Sequence, residues 1–591
     1  MNSFFKQVLA TCLGILLFTI VVGLLGMLSL VGMVASMQST KRIPDGSVLV
    51  LNLSGILDER SEGNVLTMLN GGEGTALGLD DVLLALDKAK DNERVRGIYL
   101  DCGMLSPDSY ASLSAIRRAL NQCKEAGKWV IAYADTYTQG TYYLASVADE
   151  VYLNPQGQVD WHGLSAQPYY LKDLLAKFGV KMQVAKVGTY KSAVEPFTAT
   201  SMSDENRQQI SEYIGTIWND MVAAVGKSRK LQADSLNAWA DDLITFAAPS
   251  QYVKNKMVDS LVYADGMKDI VCQRLGIDPD ASIPLIGIAD MCNAKGKKRR
   301  GDAVAVYYAY GEVVDGIVGN ATGGTGVIDA QRVGSDLRAL ADDDDVAAVV
   351  LRINSPGGSA YASEQIWHAV QMLKGKKPVV VSMGGMAASG GYYISAAADY
   401  IVAEPMTLTG SIGIFGMFPD ASELLTEKLG VHFDVVKTNA HSDFGTLSRP
   451  FSTEEMAYLE GYINRGYQLF RQRVADGRRL SVDSVEKIAQ GRVWVGSKAA
   501  KIGLVDKLGG LDVAVAKAAE LAQIGDEYHT RYYPAKRSWW EQLTQGQPVD
   551  HYLDGRLQAM LGDYFKPFVW LRRFNTHTAV QAALPYIPNI K

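Results

Sequence analysis

Val95-Arg-Gly-Ile-Tyr-Leu-Asp101 and Val346-Ala-Ala-Val-Val-Leu-Arg352 are two apolar, β-prone runs of one pattern, 251 residues apart. The match continues outward in the same order. Tyr110-Ala-Ser112 meets Tyr361-Ala-Ser363, Tyr142-Tyr143 meets Tyr392-Tyr393, and Asp149, Pro155 and Gly163 meet Asp399, Pro405 and Gly413. Phe178-Gly-Val180 then meets Leu429-Gly-Val431, and Val258-Asp259 meets Val505-Asp506. The shift stays between 247 and 251 across most of both halves, an order that a chance alignment would not keep. The chain is read as a tandem duplication.

Each half alternates strand and helix patterns. Val48–Leu53 and Ala303–Tyr308 read as buried strands, and Val82–Ala89 and Val333–Ala341 carry helical spacing. Strands at Ile98–Leu100 and Val349–Ile353, helices from near Tyr110 and Tyr361, and strands at Val130–Tyr133 and Val379–Ser382 follow. Such alternation predicts α/β units with largely parallel sheets. The halves are bounded at residues 45–292 and 302–525, joined by the basic stretch Ala294–Gly301, with a C-terminal extension over 526–591. That extension is aromatic, with Trp539, Trp540, Phe565, Phe568 and Trp570 beside Arg572 and Arg573. It is read as packing on the core or a neighbouring subunit, or as lying on a membrane surface.

Composition narrows the classes. The chain has 591 residues, 48% hydrophobic and 21% charged, which excludes a disordered chain. A net charge of −6 argues against general nucleic-acid binding. The five cysteines, Cys12, Cys102, Cys123, Cys272 and Cys292, are odd in number and form no CxxC, so they read as thiols. Cys272 with Cys292 is the one pairing considered. Asp342–Asp345 reads as a solvated turn, and Gly71–Gly74 and Asn320–Gly326 as flexible loops. No metal, nucleotide or other cofactor is expected.

From Val8 to Met37 no charged residue or histidine occurs. A bilayer span needs about 20 apolar residues, whereas a cleaved signal carries a core of about 7–15. Residues 8–37 are therefore read as a signal anchor in a lipid bilayer. Lys6 lies before the span and Lys41 and Arg42 after it, so charge does not fix the orientation.

Two segments can carry chemistry. Asn354-Ser-Pro-Gly-Gly-Ser359 follows a strand and precedes a helical pattern, where backbone N–H groups and a helix start suit an oxyanion. Pro-Gly-Gly is also ordinary turn chemistry, so this segment alone leaves both readings open. Met383-Gly-Gly-Met-Ala-Ala-Ser-Gly-Gly391 sets Ser389 among small residues at the next strand-to-helix turn, with Gly390 behind it. It is not GxSxG. It is either a nucleophile with room for a carbonyl or a tight helix–strand contact.

A serine nucleophile needs a base. His529, His551 and His577 lie in the tail, and His162, His368 and His432 have no site context. His441 draws attention through the repeat. Val184-Ala-Lys-Val-Gly-Thr-Tyr-Lys-Ser192 aligns with Val435-Val-Lys-Thr-Asn-Ala-His-Ser-Asp443, which matches Lys191 to Ser442 beside His441. Ser389 is matched to Gln139, and Gly357 and Gly358 to Ser106 and Pro107. One half holds the serine and glycine loop, the other the lysine, as in a duplicated site whose copies have split the work.

Ala387-Ala-Ser-Gly-Gly-Tyr-Tyr393, Leu408-Thr-Gly-Ser-Ile-Gly-Ile-Phe-Gly416 and Val187-Gly-Thr-Tyr-Lys-Ser-Ala-Val-Glu-Pro196 resemble the signal peptide peptidase A (protease IV) family in its long, tandem-duplicated bacterial form. Gly491-Arg-Val-Trp494 and Gly503-Leu-Val-Asp506 resemble its downstream motif. The resemblance covers roughly residues 45–520. It implies the Clp-protease/crotonase type of α/β fold and a Ser–Lys dyad. Ser389 is similar to the nucleophile, Lys191 to the general base, and Gly358 and Gly390 to the oxyanion donors. Ser411 is the position that would orient the lysine. The short family form keeps its lysine near Ser442, and this chain departs from it there. The resemblance also implies remnant signal peptides as substrates and a homotetramer with sites made between repeats. It places the chain in the bacterial inner membrane, single-pass, with an extracytoplasmic catalytic part.

A free lysine has a pKa near 10.4, and burial lowers it toward a working base. Glu195 would oppose this if close, so it is expected to point elsewhere. Ser389 Oγ and Lys191 Nζ should lie about 2.6–3.2 Å apart. Two rival readings remain: a crotonase-type acyl-CoA hydratase or isomerase using the Gly358 loop, and a non-catalytic membrane scaffold.

Overall fold

The structure is a computed structural model that describes residues 2–38, 42–61, 77–295, 301–316, 326–536 and 580–583. The aromatic tail residues Trp539 to Arg573, the loops at 71–74 and 320–325 and the basic run 296–300 lie outside them.

The N-terminus is one helix, Asn2–Gln38, whose stretch Lys6–Gly26 is apolar and long enough to cross a membrane. Beyond it stand two α/β halves. In the first, the strands Leu77–Gly78, Ser47–Asp58, Val95–Pro107, Trp129–Tyr137, Glu150–Val159 and Ser260–Leu261 lie side by side, all parallel. In the second, Leu408–Gly410, Val379–Ala388, Val346–Ser355, Ala303–Tyr310 and His529–Tyr533 run parallel in that order, and Val493–Val495 closes the edge antiparallel.

The duplication extends to register. Ile98 pairs with Val130, and its counterpart Val349 pairs with Val379. These strands are nearly continuous apolar runs because helices cover both faces. Tyr110–Glu125 and Ala360–Lys374 are the equivalent crossover helices, each begun by a serine, Ser109 or Ser359, that accepts a backbone N–H three residues on. The sequence-based strands are all present but longer. Val130–Tyr133, for example, extends to Trp129–Tyr137, because the ladder resumes beyond the polar Asp135 at Thr136 and Tyr137.

The halves are not closed bodies. A third set of strands runs Val327–Asp329, Glu312–Val314, Gly357–Ser359, Val580–Ala583, Phe415–Asp420 and Lys181–Lys186. The last belongs to the first half by sequence. It pairs antiparallel with Phe415–Asp420, with Lys186 opposite Phe415 and Lys181 opposite Asp420.

Cys102, Cys123, Cys272 and Cys292 are free thiols, so the considered Cys272–Cys292 pairing is not formed. Around Asp342–Asp345, Asp342 pairs with Lys376, and Asp343 and Asp345 with Arg531.

Candidate active site

Ser389 ends the strand Val379–Ala388 and stands at the head of the helix Gly390–Ser395. Its backbone, at φ 53° and ψ −112°, is in a region that L residues avoid, and such strain persists only when the surroundings hold it. Here its N–H donates to Gly410 O at 2.8 Å, and its carbonyl accepts from Tyr393 N at 2.8 Å. Bulk is excluded on both sides. A Cβ on Gly390 would lie 2.6 Å from Ser363 Oγ, and one on Gly391 would lie 3.0 Å from Ser355 O.

The glycine loop abuts this turn. A Cβ on Gly357 would come within 2.7 Å of the Gly390 nitrogen and 3.0 Å of Ser389 Cβ, and one on Gly358 would strike the Val313 carbonyl. Gly357 N–H donates to Ser355 Oγ at 3.1 Å, which fixes the loop from within. The sequence-predicted donors Gly358 and Gly390 thus sit on two segments that meet at Ser389.

Lys191 arrives from the first half. Its strand, Lys181–Lys186, is tied into the second half's sheet, and the chain beyond it continues the attachment. Val187 N–H donates to Ile414 O at 3.1 Å, and Tyr190 N–H to Gln490 O at 2.9 Å. Gly491 and Gly413 give the lysine room. A Cβ on Gly491 would lie 2.7 Å from Lys191 Cβ, and one on Gly413 3.3 Å from its Cδ. The amine then reaches the serine. Nζ donates to Ser389 Oγ at 2.8 Å, to Ser411 Oγ at 3.1 Å and to Ser411 O at 3.3 Å. Lys191, Ser389 and Ser411 are each 0% exposed. Burial pushes the Lys191 amine down to about 7. Glu195 is turned away, accepting from Ser203 Oγ at 2.5 Å and Asn206 Nδ2 at 2.8 Å.

The duplicate positions hold no such set. Gln139, at the place of Ser389, accepts from His162 N and Gly163 N and donates to Gly163 O, each at 3.0 Å. Ser442 is exposed and bonds Asn439. His441 stands beside Glu455 at 3.5 Å, away from Ser389. Gln490 and Gly491 were not singled out as site residues by the sequence. Gly491 was marked only as the first residue of the Gly-Arg-Val-Trp segment, and Gln490 just before it by nothing; the same segment supplies Arg492 O to Ser411 N at 2.7 Å.

An extended segment crosses the site. Val580–Ala583 pairs antiparallel with Gly357–Ser359 on one side, Gly358 opposite Ala582, and with Phe415–Gly416 on the other. Ala582 is fully buried, and its carbonyl oxygen would lie 3.1 Å from a Cβ on Gly390.

The chain matches the family model of peptidase family S49 twice, over residues 122–277 and 371–525, and the Clp protease model over 323–407. It is 39% identical over 512 residues to Protease 4 of Haemophilus influenzae, covering 82% of this chain and 80% of that one. To Protease 4 of Salmonella typhi it is 37% identical over 535 residues, covering 88% and 84%. To the chloroplastic serine protease SPPA of Arabidopsis thaliana it is 31% identical over 496 residues, covering 82% and 70%. On these matches the chain belongs to peptidase family S49 and is a serine peptidase.

Proposed function

We propose that the protein is a membrane-anchored endopeptidase in which Ser389 is the nucleophile and Lys191 the general base, and that it degrades remnant signal peptides. The observation that carries this reading is the 2.8 Å contact between Lys191 Nζ and Ser389 Oγ. It joins a buried amine, lowered to about 7, to a serine on a strained turn.

Neutral Lys191 takes the Oγ proton as Ser389 attacks the peptide carbonyl carbon. The oxyanion of the tetrahedral intermediate lies against the N–H groups of Gly358 and Gly390. Protonated Lys191 gives its proton to the leaving amine as the C–N bond breaks, leaving an ester on Ser389. Water attacks that ester, Lys191 accepts a proton from it, and collapse of the second intermediate returns the proton to Ser389 Oγ. Ser411 holds the amine in place through its hydroxyl and carbonyl oxygens.

The segment Val580–Ala583 supports a peptide substrate over a thioester. The slot beside Ser389 accepts backbone in extended form from two sides, the geometry of strand addition. The anchor rests on the apolar helix Asn2–Gln38, and the extracytoplasmic placement and homotetramer rest on the family resemblance. The test is hydrolysis of an apolar signal peptide by the full chain in detergent micelles. Cleavage should vanish in both Ser389→Ala and Lys191→Ala with the fold retained. Full cleavage by either variant would defeat the dyad.

A further inference from the structure

Asn354 stands at the root of the glycine loop, four residues before Gly358, and its side-chain amide is fully engaged. Its Nδ2 donates to Glu59 Oε2 at 3.1 Å and to Asp108 Oδ2 at 2.9 Å, and its Oδ1 accepts from Met386 N at 3.0 Å. Both carboxylates come from the first half. Glu59 also receives Arg352 Nε at 2.6 Å, and Arg352 in turn donates to Ser382 Oγ and Met383 O, each at 3.0 Å. Glu59 and Arg352 are 2% and 3% exposed.

The second half is shaped to admit these groups. A Cβ on Gly384 would lie 2.9 Å from Glu59 Oε2, and one on Gly385 would strike Ser109 Oγ. These two glycines therefore serve the contact with the first half, while Gly390 and Gly391 serve the serine. Asp108 immediately precedes Ser109, the helix cap equivalent to Ser359, and so lies in the first half's counterpart of the glycine loop. The first half's copy of the oxyanion loop has become a support for the working copy. Burial, and then the neighbouring Glu59 carboxylate, push the Asp108 carboxyl up to about 6, which leaves it mostly an ionised acceptor at neutral pH.

We propose that Glu59 and Asp108 are positioning residues for the reaction: from the first half, they fix Asn354 and through it the loop that presents Gly358 to the oxyanion. The first half then contributes to both sides of the chemistry, the base through Lys191 and the oxyanion geometry through these carboxylates. The inference rests on the reading of Gly358 as an oxyanion donor. A side chain acting through a loop in this way should be worth about 10- to 100-fold in rate, less than direct loss of a donor.

The experiment uses the full chain and compares Asp108→Ala, Asp108→Asn and, as a control at the same interface, Arg118→Ala. Arg118 pairs with Glu404 at 2.5 Å and does not bond the loop. Peptide hydrolysis gives kcat and KM, a peptide boronic acid reports affinity for the tetrahedral adduct, and thermal unfolding reports the fold. Asp108→Ala should lower kcat about 10-fold or more, leave KM within about twofold and weaken the boronate in step with kcat. Asp108→Asn should recover most of the rate, because its amide oxygen still accepts from Asn354. Arg118→Ala should lower stability and leave kcat near wild type.

The inference is overturned if Asp108→Ala keeps kcat, if boronate affinity does not follow kcat, or if Arg118→Ala loses as much rate for the same loss of stability. Ser389→Ala, run alongside, separates the two claims. Retained cleavage there defeats the dyad itself, whereas abolished cleavage with an unaffected Asp108→Ala defeats only the positioning role.

Discussion

Gln139 and Ser389 hold equivalent places in the two halves, each where a central strand turns into a short helix. Ser389 faces Lys191 Nζ at 2.8 Å, whereas Gln139 closes its amide on the backbone of His162 and Gly163. The retired copy is plugged as well as unarmed. Gln139→Ser should therefore create no second nucleophile. With no lysine at its side, labelling by a serine-reactive probe should stay at one site per chain. The lost amide leaves Gly163 N and O without that partner, so the unfolding temperature should fall by a few degrees, equivalent to about 1–3 kcal/mol.

Activity should depend on pH through Lys191. The amine works as a base only when neutral, and burial lowers it to about 7. kcat/KM for a peptide should rise as pH increases through about 7 and then level off. A limb that rises only near pH 10 would mean a solvated lysine.

The same burial opposes folding. With the folded amine near 7 and an unfolded value near 10.5, the unfolded chain binds the proton more tightly. The destabilisation is largest below pH 7, on the order of 5 kcal/mol, and fades as pH rises from 7 toward 10.5. Lys191→Met should be inactive but more stable than wild type at pH 6, with the gain shrinking by pH 10. Denaturant unfolding at the two pH values reads the difference.

Val580–Ala583 lies between Gly357–Ser359 and Phe415–Gly416, beside Ser389, and under the proposed function an extended substrate would compete with it there. Deleting residues 580–591 should lower KM for a peptide while leaving kcat close to wild type. An unchanged KM would place substrate elsewhere.

Much of this was legible in the sequence for a physical reason. The duplication keeps strand register, so matched apolar runs revealed both halves. The same alignment set Lys191 against Ser442 and Ser389 against Gln139, and the family resemblance then implied their roles. What escaped was pairing between distant segments. Lys181–Lys186 carries no local mark of its partner Phe415–Asp420, and Val580–Ala583 is held by pairing with strands more than 150 residues away in sequence. Glu59 and Arg352, buried together at the interface, lie 293 residues apart and carry no local mark of their pairing. Gln490 holds the lysine segment through its carbonyl and its side-chain oxygen, which accepts from Thr189 N at 3.0 Å, and Gly491 through close backbone approach, contacts that join segments some 300 residues apart and leave no local mark.

The most direct test of the dyad is mass-spectrometric mapping of a fluorophosphonate adduct on the full chain at pH 8, with Lys191→Ala in parallel. The account requires the adduct on Ser389 in the wild type and labelling slowed at least about 100-fold in the variant. An adduct on another serine, or labelling of Ser389 at the wild-type rate without Lys191, would contradict it.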